Sequence, residues 1–291
     1  MSGVTTSSGY LELFGGKLIA ATAAARFEMG TAAKLFIDGA STSTLDGVGA
    51  GAEPQFIFKN VVTHSGAGSL AFDHTAKVRN LGTYTVSTAA GLSKTGASAT
   101  DVAFLNPGVF VKEGTGTISN IATAFDNTGT VEVKSGTLTF NTNTVPQLQG
   151  THLTRGTWIV RNGATLTIGS ANTKLERNSG IIIVDGTGLF SNLPNSSTTT
   201  PFRNDGRLSL TGNTTKSFGT GAFTNNGTLN VQSGSELTVG SFSNGGFLGL
   251  GGGTLEGGGK INGQVIQDGK LKPGSSPGTF TIEGSYTQEQ Y

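Results

Sequence analysis

The stretch from Phe223 to Val239 constrains the fold more than any other part of the chain. It reads Phe223, Asn225, Gly227 at alternate positions, then Leu229 and Val231, a small turn at Ser233-Gly234, then Leu237 and Val239. Most of the chain varies this pattern. The glycine recurs at Gly82, Gly108, Gly129, Gly156, Gly180, Gly206, Gly227, Gly246 and Gly269, a step of about 23 residues that falls within the range of solenoid repeats. Two residues earlier stands Asn80, Asn106, Asn127, Asn178, Asn204, Asn225 or Asn244, with Thr154 and Gln267 in the two remaining copies. Two residues before the asparagine there is often a phenylalanine: Phe125, Phe202, Phe223 and Phe242.

Asn and Gly both tolerate the left-handed backbone region, so the Asn-x-Gly step reads as a sharp corner. Beyond it, side chains alternate between two faces. Val131 and Val133, Leu208 and Leu210, and Leu229 and Val231 take the inward phase, while Thr130 and Glu132 face out. A second short strand follows at Leu138–Phe140, Leu166–Ile168, Leu237–Val239 and Phe280–Ile282. No unit of this size buries its own apolar side, and stacking the units does. The expected fold is all-β, a parallel β-solenoid with about three short strands per turn. A sandwich or barrel of hairpins is the competing architecture, but hairpins give paired repeats, whereas here one phase returns in every unit. Phe202, Phe223 and Phe242 should form an interior ladder, as should Asn204, Asn225 and Asn244.

Residues 1–60 are less regular, read as N-terminal turns or a cap, and 61–291 as solenoid continuous with them in one elongated domain. Tyr10–Phe14, Lys17–Ala20, Arg26–Met29 and Lys34–Asp38 have strand character. Ala20–Ala25 could instead supply a helical cap. The segments 141–150 and 185–201 read as loops leaving the stack, where a rigid scaffold tends to carry binding.

Composition narrows the function. The chain has 291 residues, a formal net charge of +1, 13% charged residues, 47 glycines, 17 phenylalanines and no cysteine. The aromatic and β-branched content argues against disorder. The near-zero charge gives no basic surface for nucleic acid. No segment is apolar for long enough to span a membrane. The scattered acids offer no glycosidase pair, and the nearest approach to one is Asp185 and Asp205 beside Arg203. His64, His74 and His152 lack metal-ligand spacing and read as exposed, and the glycine run 251–259 lacks the aspartate of calcium-binding repeats. No catalytic residue, cofactor or metal is therefore assigned. The outward row of the first strands reads Thr85, Glu132, Ile159, Ile183, Ser209, Asn230, Gly249 and Lys272, too irregular for an ice-binding array. Within it, Ile159, Ile181 and Ile183 form a candidate interface, covered either by 185–201 or by a partner.

The last coil, Gly269-Lys-Leu271-Lys-Pro273-Gly274-Ser-Ser-Pro277-Gly278-Thr-Phe280-Thr-Ile282-Glu-Gly284-Ser-Tyr286-Thr-Gln288, resembles the G-x-L-x-P-G-x-S-P-G-T-L-T-I-x-G-x-Y-x-Q motif of autotransporter passenger regions and related bacterial surface proteins. Phe280 replaces the usual leucine. The match covers about twenty residues, and the preceding coils look like the same group less specifically. The resemblance implies a right-handed parallel β-helix, export to the cell surface or medium, and roles in adhesion, aggregation or biofilm matrix. Ligands on this reading are a glycan, a protein surface or copies of the chain itself. The chain departs from the family in showing no recognisable export signal and no membrane barrel after Tyr291. A self-assembling filament or surface-layer subunit is the alternative function, and a polysaccharide-degrading β-helix enzyme the third.

Overall fold

Asparagine amides stacked one above another mark the corners of a parallel β-solenoid of about 11 turns, roughly 24 residues per turn. The computed structural model describes residues 4–22, 24–48, 53–95, 102–141, 144–245, 252–274 and 278–289. Among the described residues there is no helix, so the helical cap at Ala20–Ala25 is not found. The chain divides into two units, Met1–Pro146 with Leu166–Ser170, and Gln147–Thr165 with Ala171–Tyr291.

In the first unit each turn carries a strand before the corner, one after it and a third beyond a small turn. The strands before the corner are Phe56–Phe58, Lys77–Asn80, Ala103–Asn106 and Ala124–Asn127, paired in parallel and in register. Those after it are Val61–His64, Thr83–Val86, Val109–Lys112 and Thr130–Val133. The long strand Phe27–Ile37 serves both positions, pairing with Phe56–Phe58 through its first half and with Val61–His64 through its second. Strands of the first sixty residues thus join the same ladders as those that follow. The third face stacks Gly16–Ala20, Ser43–Gly47, Leu70–His74, Leu92–Lys94, Ile118–Ile121 and Thr137–Phe140.

The second unit repeats this plan. Arg177–Asn178, Phe202–Asn204 and Ala222–Asn225 stack before the corner, and Thr157–Val160, Ile181–Asp185, Arg207–Thr211, Thr228–Val231, Thr254–Gly257 and Lys270–Pro273 after it. One antiparallel pair, Leu148–Gln149 with His152–Leu153, forms where a plain loop was expected.

The core follows the expected alternation. Val131, Val133, Leu208, Leu210, Leu229 and Val231 are all 0% exposed. Phe202, Phe223 and Phe242 are buried in register, with centroids 5.2 and 5.1 Å apart, within the range where aromatic pairs attract. In the first unit Phe104 and Phe125 stack at 5.2 Å with nearly parallel rings.

The corner chemistry differs from expectation. Among the described residues, the corner glycines other than Gly156 do not adopt positive φ, and neither do the corner asparagines. Glycine is needed because the turns approach so closely. A Cβ on Gly227 would lie 2.0 Å from the carbonyl oxygen of Gly206, and one on Gly206 would lie 2.0 Å from that of Gly180. Left-handed glycine serves the other turn, as at Gly234 with φ 80°. Asparagine is needed for its side chain. Asn204 Nδ2 donates to Asn225 Oδ1 at 2.8 Å and to Thr228 O at 2.9 Å, and Asn225 Nδ2 donates to Asn244 Oδ1 at 2.7 Å and to Thr254 O at 3.0 Å. Every acceptor here lies one turn further along the chain.

Two assignments within the repeat shift. Leu153, not Thr154, pairs with Asn178, so that stack begins at Asn178, whose Oδ1 accepts from the Gly180 N–H instead. Gly246 and Gly249 lie outside the described residues. Thr254 pairs with Thr228 and Glu256 with Asn230, so Gly253 takes the corner and Glu256 the outward position.

Candidate functional site

On the third face of the first unit, parallel register sets Ile19, Asp46 and Asp73 on successive rungs. Two aspartates directly opposite one another repel. The structure brings two cationic or proton-donating side chains to them. Lys17 Nζ reaches Asp46 Oδ2 at 2.6 Å and Asp73 Oδ2 at 3.1 Å. His74 Nδ1 lies 2.6 Å from Asp46 Oδ1 and 3.6 Å from Asp73 Oδ1. A carboxylate only accepts, so Nδ1 carries the proton in this bond. His74 has φ 51°, and its own N–H donates to Asp73 Oδ1 at 2.9 Å.

The electrostatics follow from this geometry. Desolvation pushes the Asp73 carboxyl up, but the Lys17 ammonium and the His74 N–H outweigh it and hold the carboxyl below the usual range. Hydrogen bonds to Asp46 and Asp73 raise Lys17. The Asp46 side chain is 3% exposed and that of His74 is 41% exposed, so the cluster is rooted inside and opens to solvent at the imidazole. Asp46, Asp73 and His74 are the one group of three or more metal-type ligands among the described residues.

This overturns the expectation that no acids cluster beside the histidines. Asp46 and Asp73 are one solenoid turn apart in sequence, and that spacing was the available signal. His64 departs further still: it is buried, with Nδ1 2.9 Å from the Tyr84 hydroxyl and Nε2 2.7 Å from Gly68 O. Since Gly68 O only accepts, Nε2 carries the proton and Nδ1 accepts from Tyr84. Burial lowers the His64 pKa and raises that of Tyr84. Lys112 is also buried, donating to Glu113 O and to Thr117 Oγ1 at 2.5 Å, and desolvation lowers its pKa. His152 is half-buried, its Nε2 2.8 Å from Ser179 Oγ.

In the second unit Asp205 accepts from Arg177 Nε at 2.5 Å, Arg203 Nε at 2.6 Å and Asn226 Nδ2 at 2.9 Å. Desolvation works to raise the carboxyl, but these donors keep it low. Asp185 instead accepts from Thr211 Oγ1 at 2.8 Å, so the two acids do not share the partners that a catalytic pair would need. Ile159 and Ile183 pair in register and are half-buried, while Ile181 is 39% exposed. All three keep the outward phase, with Trp158 and Ile182 buried between them. Hydrogen bonds tie the segment 185–201 to the chain before it: Leu189 N–H to Ala164 O, Leu175 N–H to Asn192 O and Lys174 Nζ to Ser191 O.

Two polar grooves lie on the second unit. One of about 760 Å³ is lined by Asn230, Gln232, Ser233, Glu256, Lys272 and Thr279. The other, of about 490 Å³, is lined by Thr151, Asn172, Lys174, Glu176, Asn195 and Thr200. Neither lining includes an aromatic side chain. Close by in sequence, burial pushes Lys216 down to about 8, helped by the charge of Lys174.

No family model, curated protein or solved structure matches the chain.

Proposed function

We propose that this chain is a non-catalytic structural or adhesive module of a bacterial cell surface, exported and presenting loops and grooves to glycans or protein surfaces. The observation that carries this reading is the division of labour between core and surface. In-register stacks of buried Asn, Phe and aliphatic side chains hold the backbone. The outward rows differ from rung to rung, from Ile183 to Ser209 to Asn230 to Glu256. Such a scaffold keeps its shape while its surface varies. The autotransporter-like motif from Gly269 to Gln288 supports the same reading. The grooves beside Asn230 and Asn195 offer hydrogen-bonding groups suited to hydroxyl-rich ligands.

End-to-end assembly of copies is favoured by a separate observation. Val4–Leu13 and Gly16–Ala20 are each paired on one side only, and Tyr10, Phe14 and Ile19 are 71%, 61% and 52% exposed. Unpaired edges of this kind accept further strands.

The purified chain, tested for binding on a glycan array and on matrix-protein surfaces and for mass by sedimentation, separates these readings. Saturable binding without release of reducing ends supports the module, and mass growing with concentration supports assembly. Release of reducing ends from any polysaccharide overturns the non-catalytic reading.

A further inference from the structure

We propose that Asp46, Asp73 and His74 form a site for one divalent transition-metal ion of the class that imidazole and carboxylate ligands share, such as zinc or cobalt(II). One ligand atom from each of the three residues lies within 4.8 Å of the other two. Bonds of about 2.0–2.2 Å to such an ion place neighbouring ligand atoms roughly 3.0–3.5 Å apart. The observed separations, 2.6 Å from Nδ1 to Asp46 Oδ1 and 3.6 Å from Nδ1 to Asp73 Oδ1, bracket that range, so small side-chain rotations suffice. Lys17 sits on the outer oxygens, at 2.6 and 3.1 Å, and leaves the inner pair facing the imidazole. Each carboxylate therefore ligates through Oδ1 alone.

Charge points the same way. Two carboxylates share one ammonium, which sits on their outer oxygens. Asp46 is almost wholly buried, and a buried charge demands a closely held counter-charge. A divalent ion supplies it directly. The nitrogen ligand disfavours magnesium and calcium, which prefer all-oxygen sites. On binding, the Nδ1 proton is exchanged through solvent, the ring takes its Nε2–H tautomer, and the freed Nδ1 lone pair makes the metal bond. The exposed His74 edge gives the ion its entry path and leaves coordination positions open to water or an external ligand.

Titration of the full chain with cobalt(II), followed by visible absorption, and with zinc by competition, tests the site. Saturation at one equivalent is expected. Asp46→Asn and His74→Asn should each weaken binding by about 10-fold or more. Asparagine at 74 tolerates the positive φ, so that variant keeps the backbone even where Asp46→Asn disturbs folding. Lys17→Gln removes a competing cation and should tighten binding. No saturable binding by either the wild type or Lys17→Gln, or unchanged affinity in His74→Asn, overturns the proposal and leaves a simple ion-pair network.

Discussion

Two stacks in the first unit use the same geometry with opposite chemistry. At the corner, Asn80, Asn106 and Asn127 follow one another, with Nδ2 to Oδ1 distances of 2.8 and 2.9 Å. On the third face, Asp46 and Asp73 follow one another in the same parallel register. An amide carries both a donor and an acceptor, so identical amides satisfy each other when stacked. A carboxylate carries acceptors only, so identical carboxylates repel until something else intervenes. The asparagine stack is accordingly sealed inside, while the aspartate pair recruits Lys17 and His74 and remains open to solvent. In a parallel, in-register solenoid, like falls on like, and the side-chain type decides whether a position becomes structure or chemistry.

The largest effect should come from converting one stack into the other. Asn225→Asp places a carboxylate opposite Asn244 Oδ1 and Thr254 O, at a site 0% exposed, with no cation within the stack. The expected loss is about 3–5 kcal/mol in urea denaturation. Next comes the close approach that brings the amides into reach. Gly227→Ala should cost about 1–3 kcal/mol, because its Cβ would lie 2.0 Å from Gly206 O. Gly163→Ala, where φ is 74° but no atom lies within 4 Å, should lose only the backbone term of about 1 kcal/mol.

The stacks also differ in their response to pH. Burial lowers the His64 pKa, so the folded chain keeps this ring neutral while the unfolded chain protonates near its ordinary value of about 6.5. This contribution is complete above that value and is lost as pH falls towards the folded value, by at most about 1.4 kcal/mol per pH unit. His64→Gln should flatten that part of the stability profile. Asp73 has a lowered folded pKa, so its contribution holds above the ordinary carboxylate range and declines only as pH falls below it. The smallest effect at neutral pH should be that of Lys17→Gln, which uncovers the repulsion between Asp46 and Asp73. Adding Asp73→Asn in that background should recover stability, and failure to recover it would show that the pair does not repel.

Much of the fold was legible because side-chain alternation is strict and local. The inward phase of Val131, Leu208 and Leu229 followed from alternation alone. The same rule applied at Val62-x-His64 and Phe110-x-Lys112 points His64 and Lys112 inward, yet residue type made His64 read as exposed. The corner was located correctly but for a different physical reason: Gly206 and Gly227 answer to backbone crowding from the preceding turn, which no single coil reveals. The Asp46–Asp73–His74 cluster was hidden because its members lie one turn apart in a region where the glycine repeat is weak. Their spacing was the one signal, and it takes the register to turn it into side-by-side placement. Gly253 holds the corner position opposite Gly227 without the Asn two residues before it that marks most other copies, so the motif did not find it.

The central claim is that buried asparagines on successive turns bond directly to one another and so set the register. A double-mutant cycle on Asn204 and Asn225, each changed to alanine singly and together and measured by urea denaturation, tests it most directly. Their Oδ1 and Nδ2 atoms lie 2.8 Å apart, so the double variant should be more stable than the sum of the single losses predicts, by about 0.5–3 kcal/mol. Simple additivity of the two losses would contradict the account.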